Sequence, residues 1–188
     1  MKTKLIELKQ KYFLTLNPKT ITIFGILLGS LLIAILAQIS IHIPFSPVPI
    51  TGQTIGVLII GGIFGPRKGL LSVIAYLSEG ILGFPVFANM SAGFSVLLGP
   101  TGGYLWSFLP AVSIIGYLSK KNITNKHILS FLSCLSVTFF ILIFGTFYLS
   151  LFLGLNKAFT MGFLPFIIVG IIKSFISASI ITFYKKLN

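Results

Sequence analysis

Acidic residues are almost absent from this sequence: among 188 residues there is no aspartate, and the only glutamates are Glu7 and Glu79. Charged residues of both signs make up 9% of the chain, whereas hydrophobic residues make up 55% and the mean hydropathy is +1.05. This composition excludes an ordinary soluble domain and is typical of an integral membrane protein.

Groups that bind metals or nucleotides are equally scarce. The single cysteine, Cys134, lies in an apolar run and is interpreted as a small core residue. His42 and His127 are predicted to lie at opposite membrane surfaces, where they cannot share a metal, and each is interpreted as an interfacial residue. The glycines at 99–103 resemble those of a phosphate loop, but no Gly-Lys-Ser/Thr follows them. The chain is therefore predicted to bind no metal, ATP or other cofactor of its own.

The formal net charge of +12 is not gathered into a patch that would bind nucleic acid. The basic residues lie in short clusters between apolar runs, as expected for the cytoplasmic loops of a protein embedded in a lipid bilayer. The run after the N-terminal lysines is too long for a secretory signal and has no small-residue cleavage site, so we expect it to be retained as a first span.

Six membrane-spanning helices are predicted, in a single all-α domain over residues 1–188 that begins with a basic segment at 1–19. The first, fifth and sixth apolar runs are long and uninterrupted. The other three are defined mainly by breakers such as Gly65 and Pro66, because proline cannot continue the helical hydrogen-bond ladder. The predicted spans are 21–41, 54–64, 69–82, 104–118, 128–153 and 162–184.

The basic residues also predict the topology. With the N-terminus in the cytoplasm, twelve of the fourteen Lys and Arg residues lie inside, Lys157 lies outside and Lys173 lies within the sixth span. Both termini are therefore predicted to be cytoplasmic. Two segments rich in Pro and Gly, 42–53 and 83–103, then face the exterior. Irregular backbone cannot face lipid, so we expect these segments to roof a pocket that opens outward.

Lys173 is the first candidate for a site residue because it lies near the middle of the sixth span. A charge there costs about 2.5 to 3.5 kcal/mol on insertion scales, so an intramembrane lysine is by default a functional hypothesis. The alternative is a lysine that snorkels to the surface. The distance weakens it, since roughly 11 residues at ~1.5 Å each separate Lys173 from either helix end.

The chain resembles the BioY family in three ordered motifs, PVPITGQT at 47–54, GFPVFAN at 83–89 and GPTGGYL at 99–105. The resemblance extends from about Thr20 to Lys186. BioY proteins are the biotin-binding S components of energy-coupling factor (ECF) vitamin transporters. The resemblance implies the S-component fold, biotin as the ligand, and partners comprising a transmembrane T subunit and two ATP-binding subunits.

The resemblance also implies that Asn89 and Lys173 contact the ligand. In the family the sixth helix typically reads PFxPGDxxK, with the Asp and Lys on one face at the biotin site. Here Lys173 is kept, but Gly170 stands in place of the Asp, which would neutralise the lysine and accept a hydrogen bond from a ureido N–H. Lys173 therefore needs another partner or must lose its proton more readily. The amide of Asn89 can donate and accept at once, and a turn-stabilising role in left-handed conformation is its alternative.

Six further residues are predicted to contribute to the pocket. Three are polar, with helix capping or packing as the alternative. Three are aromatic and suit a bicyclic apolar ring, although core packing is the alternative in a chain that is 14% aromatic. These residues are Thr51, Gln53, Tyr76, Phe87, Phe94 and Tyr104.

Small residues four apart on the first helix permit close helix approach. S components resemble one another in using such a motif on this helix to dock on the T subunit. The predicted docking residues here are Gly25, Gly29, Ser30 and Ala34.

Two other functions stay open. The chain could be an S component for a biotin precursor or another small vitamin-like ligand, because Gly170 replaces the family's acid. The alternative from another class is an intramembrane hydrolase, but the sequence has no metal-ligand cluster, no carboxylate pair within the membrane and no ordered nucleophile–base pair. We therefore predict that the chain is not an enzyme.

Overall fold

The computed structural model describes residues 17–187, so most of the predicted basic segment lies outside the described residues. Helix α1 spans Pro18–Gln38. It begins where Asn17 Oδ1 accepts a hydrogen bond from the Lys19 N–H (3.1 Å) and where Pro18, which has no N–H, occupies the first turn.

The first predicted span is wrong at its C-terminal end, since α1 stops at Gln38 rather than at residue 41. Ser40–Ile41 instead forms strand β1, which pairs antiparallel with β2, Ile50–Thr51. The intervening segment contains three prolines, which cannot continue a helix. The short hairpin pairs backbone groups that the interrupted helix leaves without partners.

Helix α2 spans Gln53–Ile81 and is broken at Gly65, whose φ of +79° lies in the left-handed region that glycine tolerates. The break predicted between the second and third spans is therefore confirmed. The part of α2 after the break begins at Pro66, whereas the third span was predicted to begin at Gly69. Proline is tolerated there because it lies in the first turn of a helix.

The connection after α2 contains a 3₁₀ turn, Ala88–Met90, and the short helix α3, Phe94–Leu98. Helix α4 spans Gly102–Lys120, and α5 spans His127–Leu153 after a second 3₁₀ turn at Ile123–Asn125. The last part of the chain comprises α6, Leu155–Ala158, a π-helical segment, Phe159–Phe163, and α7, Leu164–Leu187.

Four segments among the described residues are long and apolar enough to cross a bilayer: Lys19–Gln38, Gln53–Ile81, His127–Leu153 and Leu155–Leu187. The sequence predicted six spans rather than four. The difference arises because the prediction counted the two parts of α2 separately and also counted α4. Helix α2 packs against α1, α4 and α7, and α5 packs against α4 and α7. The protein is therefore a multi-pass helical membrane protein in which α1 lies at the periphery, mainly on α2.

The docking role predicted for four residues of α1 stays a prediction, and three of the four pack within the chain. Gly29 faces Ser72 and Phe64 of α2, Ser30 Oγ donates to Glu79 Oε2 (2.6 Å), and Ala34 is buried. These small residues permit the close approach of α1 to α2 within the chain. Gly25 alone has open space around its Cβ position.

Replacing Gly116 by alanine is expected to lower the thermal unfolding midpoint in detergent. A Cβ on Gly116 of α4 would lie 2.6 Å from Pro66 N and 2.8 Å from Gly65 C, which are backbone atoms that cannot rotate away. Overpacking of this kind typically costs about 1–3 kcal/mol. Gly25→Ala is the matched control, since nothing lies within 4 Å of its Cβ. Equal midpoints for the two variants would contradict the close contact between α4 and the break in α2.

Candidate binding site

A cavity of about 210 Å³ lies where the two irregular segments meet the helices. Residues from 42–54 and from 87–101 line it together with side chains of α4, α5 and α7. The structure thus brings together the two segments that the sequence predicted to roof a pocket. The helical wall consists of Tyr104, Leu105 and Phe108 from α4, Thr138, Ile141 and Leu142 from α5, and Phe166, Gly170 and Lys173 from α7.

Among residues 17–187, Lys173 is the only Lys, Arg, Asp or Glu that lines this cavity. It lies in the middle of α7 and is partly buried. Within residues 17–187, its ammonium group has no hydrogen-bond acceptor and no ion-pair partner. A cation in this position is costly unless an anion, a carbonyl oxygen or water meets it. The cavity therefore favours a ligand that brings an acceptor or a negative charge to Lys173.

Asn89 lies in the 3₁₀ turn at Ala88–Met90, in the segment that follows α2. Its backbone is left-handed, with φ 58° and ψ 37°, as the turn-stabilising alternative predicted. Its side chain nevertheless lines the cavity, and Asn89 Nδ2 donates to His42 Nε2 at 3.0 Å. Nδ2 carries two protons and Oδ1 is an acceptor, so the amide retains a donor and an acceptor for a ligand.

A chain of hydrogen bonds supports the wall next to β2. Thr51 Oγ1 donates to Gln53 Oε1 (2.9 Å), and Gln53 Nε2 donates to the hydroxyl of Tyr76. Thr51 and Gln53 line the cavity. Tyr76 is fully buried and packs edge-on against Phe87, with 5.5 Å between ring centroids. These contacts fix the orientation of the Gln53 amide.

Aromatic rings form much of the remaining wall. Phe87, Tyr104, Phe108 and Phe166 line the cavity and are all buried. The Tyr104 hydroxyl donates to Gly162 O (2.8 Å), so Tyr104 presents its ring to the cavity while its polar atom is satisfied elsewhere. The arrangement suits a small molecule with an apolar body and a few polar groups.

Comparisons with known proteins identify the family of this chain. A family model described as the BioY family matches residues 7–188. The chain belongs to the BioY family. A biotin transporter BioY from Thermotoga maritima is 37% identical over 150 residues, covering 79% of this chain and 87% of that protein. A biotin transporter BioY from Rhizobium etli is 30% identical over 161 residues, covering 81% and 86%.

This BioY protein also resembles a solved structure of the S-component for biotin from an ECF-type ABC transporter. The TM-score is 0.83 at 30% identity, and the match covers 92% of this chain and 94% of that one. The prediction of an S-component fold is thereby confirmed. The relatives are named as transporters, which also bears out the prediction that this chain is not an enzyme.

Six of the eight predicted ligand contacts line the cavity of this BioY protein, and their roles in binding stay predictions. Tyr76 and Phe94 do not line it. Tyr76 is buried behind Gln53, and Phe94, the first residue of α3, is 51% exposed. The sequence could not show which side of a five-residue helix faces inward. The six that line the cavity are Thr51, Gln53, Phe87, Asn89, Tyr104 and Lys173.

Two hydroxyl groups lie near the backbone of Gly170, the residue that replaces the family's acid. Ser174 Oγ donates to Gly170 O (2.7 Å), and Thr138 Oγ1 lies 2.9 Å from Ser174 Oγ. Because Ser174 has one proton and uses it on the carbonyl, Thr138 is the donor between the two hydroxyls. Thr138 Oγ1 therefore retains acceptor capacity, whereas the Thr138 methyl carbon, Cγ2, is the atom that would lie 3.1 Å from a Cβ at position 170.

Sequence reasoning missed His42 and Thr138, as well as the rings of Phe108 and Phe166. His42 was interpreted only as an interfacial residue, whereas it lines the cavity and holds Asn89. Its position next to the proline-rich roof segment was the available signal. For Thr138 there was none, since hydroxyl residues are common in membrane helices and frequently bond only to their own backbone.

Proposed function

We propose that this BioY protein is the biotin-binding S component of an ECF transporter in a bacterial cell membrane. It captures biotin from the exterior, and a T subunit with two ATP-binding subunits supplies the energy for uptake. The observation that carries the proposal is Lys173, a cation without a partner among the described residues, in an otherwise uncharged and largely apolar cavity. Relatives named as biotin transporters support this ligand.

Biotin has the chemistry that this cavity requires. Its bicyclic body suits the rings of Phe87, Phe108 and Phe166, and its ureido group alternates N–H donors with a C=O acceptor. The Asn89 amide can match that alternation. Lys173 can donate to the ureido oxygen or to the carboxylate, either of which offsets the cost of leaving the ammonium group unpaired.

The direct test is mass spectrometry of small molecules that co-purify with the protein, followed by titration calorimetry with biotin. We expect biotin to be retained at one molecule per chain without turnover. A protein that retains no biotin and does not bind it after removal of endogenous ligand would overturn the proposal. Chemical conversion of the bound molecule would favour the enzyme alternative.

A second ligand remains a candidate because of Gly170. Without a carboxylate at this position, the described side chains that line the cavity offer neutral acceptors, among them the Thr138 hydroxyl. A ligand without a ureido N–H at this point, such as a biotin precursor that lacks that group, would not need the missing acid. Competition between biotin, dethiobiotin and an unrelated vitamin separates the two ligands, since the physiological ligand should displace the others at the lowest concentration.

Six membrane crossings form part of the proposal, with the two arms of α2 counted separately and α4 included. Both termini are cytoplasmic in this arrangement, and the cavity roof faces the exterior. The support is the distribution of the basic residues, twelve of which then lie inside.

Cysteine labelling tests this topology. An impermeant thiol reagent applied to intact cells is expected to label Phe45→Cys and Ser95→Cys, whose parent residues are exposed, but not Arg67→Cys or Lys121→Cys. The native Cys134 is buried, so it should contribute little background. The reverse labelling pattern would contradict the orientation. Labelling after permeabilisation is the control that all four positions can react.

The energising partners are supported by the ECF context of the similar structure and by the lack of a phosphate-loop motif in this sequence. Binding should therefore need neither partners nor ATP, whereas uptake against a gradient should need both. Gly25 is the one predicted docking residue that the packing of α1 on α2 leaves available.

A further inference from the structure

The turn that carries Asn89 has an unusual backbone. Asn89 and Met90 are consecutive non-glycine residues in the left-handed region, with φ of 58° and 57°. Single residues visit this region occasionally, but two in succession need support from their surroundings. The turn's own hydrogen bonds are Ser91 N–H to Ala88 O (3.2 Å), Ser91 Oγ to Ala88 O (2.7 Å) and Phe87 N–H to Ser91 O (3.1 Å), and none of these three involves Asn89 or Met90.

Gln38 supports the turn from outside it. It is the last residue of α1, and its side chain reaches across to the turn, about fifty residues away in sequence. Gln38 Oε1 accepts a hydrogen bond from Met90 N–H (3.0 Å), and Gln38 Nε2 donates to Phe87 O (3.1 Å). Nε2 also lies 3.1 Å from Ala34 O in its own helix. Both ends of one amide thus hold the residues that flank Ala88 and Asn89.

Gln38 itself does not line the cavity. Its contacts act on the backbone, while His42 Nε2 accepts from Asn89 Nδ2 and fixes the side chain. The two supports together determine where the free donor and acceptor of Asn89 point. A change in the Gln38 amide would leave Asn89 present but free to turn away from the cavity.

We infer that Gln38 is a positioning residue for ligand binding, which acts through Asn89 by holding the strained turn at residues 87–90. The inference rests on the proposed function, because it needs a ligand that Asn89 contacts. It also gives α1 a role in the site, although no residue of that helix lines the cavity.

A double-mutant cycle tests this inference, with biotin as the probe and calorimetry on the purified full chain. Gln38→Met removes the donor and acceptor at similar side-chain length. We expect it to weaken biotin binding about tenfold, which is the size of one or two lost hydrogen bonds. In an Asn89→Ala background, the same substitution should change the affinity by less than about twofold, since the residue that it positions is gone.

The control is Ile39→Ala, which alters the exposed neighbour of Gln38 and should leave affinity unchanged. If Gln38→Met is recovered only unfolded, Gln38→Glu enters the same cycle, because it keeps the acceptor for Met90 N–H and loses the donors. Wild-type affinity in the Gln38 variant would overturn the inference, as would an equal loss in both backgrounds, which marks a merely structural role. Failure of the unaltered protein to bind biotin would instead overturn the proposed function.

Discussion

Lys173→Met is expected to weaken biotin binding while making the ligand-free protein more stable. The loss of affinity follows from removing a charged donor, which is worth about 1.5–3 kcal/mol, or roughly 10- to 150-fold. The gain in stability follows from removing a partly buried ammonium group that has no partner among residues 17–187. The two effects have opposite signs, and general damage to the fold cannot produce that combination.

Calorimetry with biotin and the thermal unfolding midpoint of the ligand-free protein measure the two effects. Lys157→Met is the matched control, because Lys157 is exposed on α6 and does not line the cavity. Asn89→Ala, which removes a neutral group, should cost less, about 0.5–1.5 kcal/mol of binding free energy. Unchanged affinity in Lys173→Met, or a lower midpoint without ligand, would contradict the placement of an unpaired lysine at the ligand.

Local signals in the sequence were sufficient for the main features of the fold. Gly65 and Pro66 placed the break in α2 because each has a backbone restriction that does not depend on context. The long connection after residue 82 was equally evident from its prolines and glycines. The end of α1 was not, because residues 39–43 alternate isoleucine with Ser40 and His42 over too short a run to decide between a helix and a strand. Pairing with β2 decides between the two, and that contact is not local.

The sequence could identify a site residue only where its side chain is of a type that is rare in a membrane-spanning helix. Lys173 stands out because a lysine in the middle of an apolar helix is costly. Thr138 does not stand out, since its importance depends on Ser174 and Gly170 of another helix. Gln38 and His42 act through residues about fifty positions away, so no spacing rule connects them to Asn89.

The small residues of α1 show a different limit. Close helix approach was the correct physical interpretation of Gly29, Ser30 and Ala34, but the helix that approaches them is α2 of the same chain. A small-residue pattern indicates contact without identifying the partner. Replacing Gly29 by leucine would therefore test the packing of α1, not the docking of a T subunit.

Gly170→Asp is expected to tighten biotin binding about tenfold, because it places a carboxylate beside Lys173 and within the cavity wall. Residues 170 and 173 are three apart and share a helix face, so the new acid can pair with the lysine. It would also accept a hydrogen bond from a ureido N–H, a charged contact that is worth more than one to the Thr138 hydroxyl. The cost is steric: a Cβ at position 170 would lie 3.1 Å from Thr138 Cγ2, so Thr138 must shift by a few tenths of an ångström.

Gly170→Ala separates the steric cost from the effect of the carboxylate, since it adds the same Cβ without charge. We expect the alanine variant to bind biotin slightly more weakly than the unaltered protein and the aspartate variant to bind it more tightly than both, as measured by calorimetry on folded protein. If Gly170→Asp instead binds biotin more weakly than Gly170→Ala, the carboxylate is unfavourable in this cavity. Thr138 would then belong to a pocket rebuilt around glycine. The ligand would be a biotin precursor or another small vitamin-like molecule whose polar groups match neutral acceptors and an unpaired lysine.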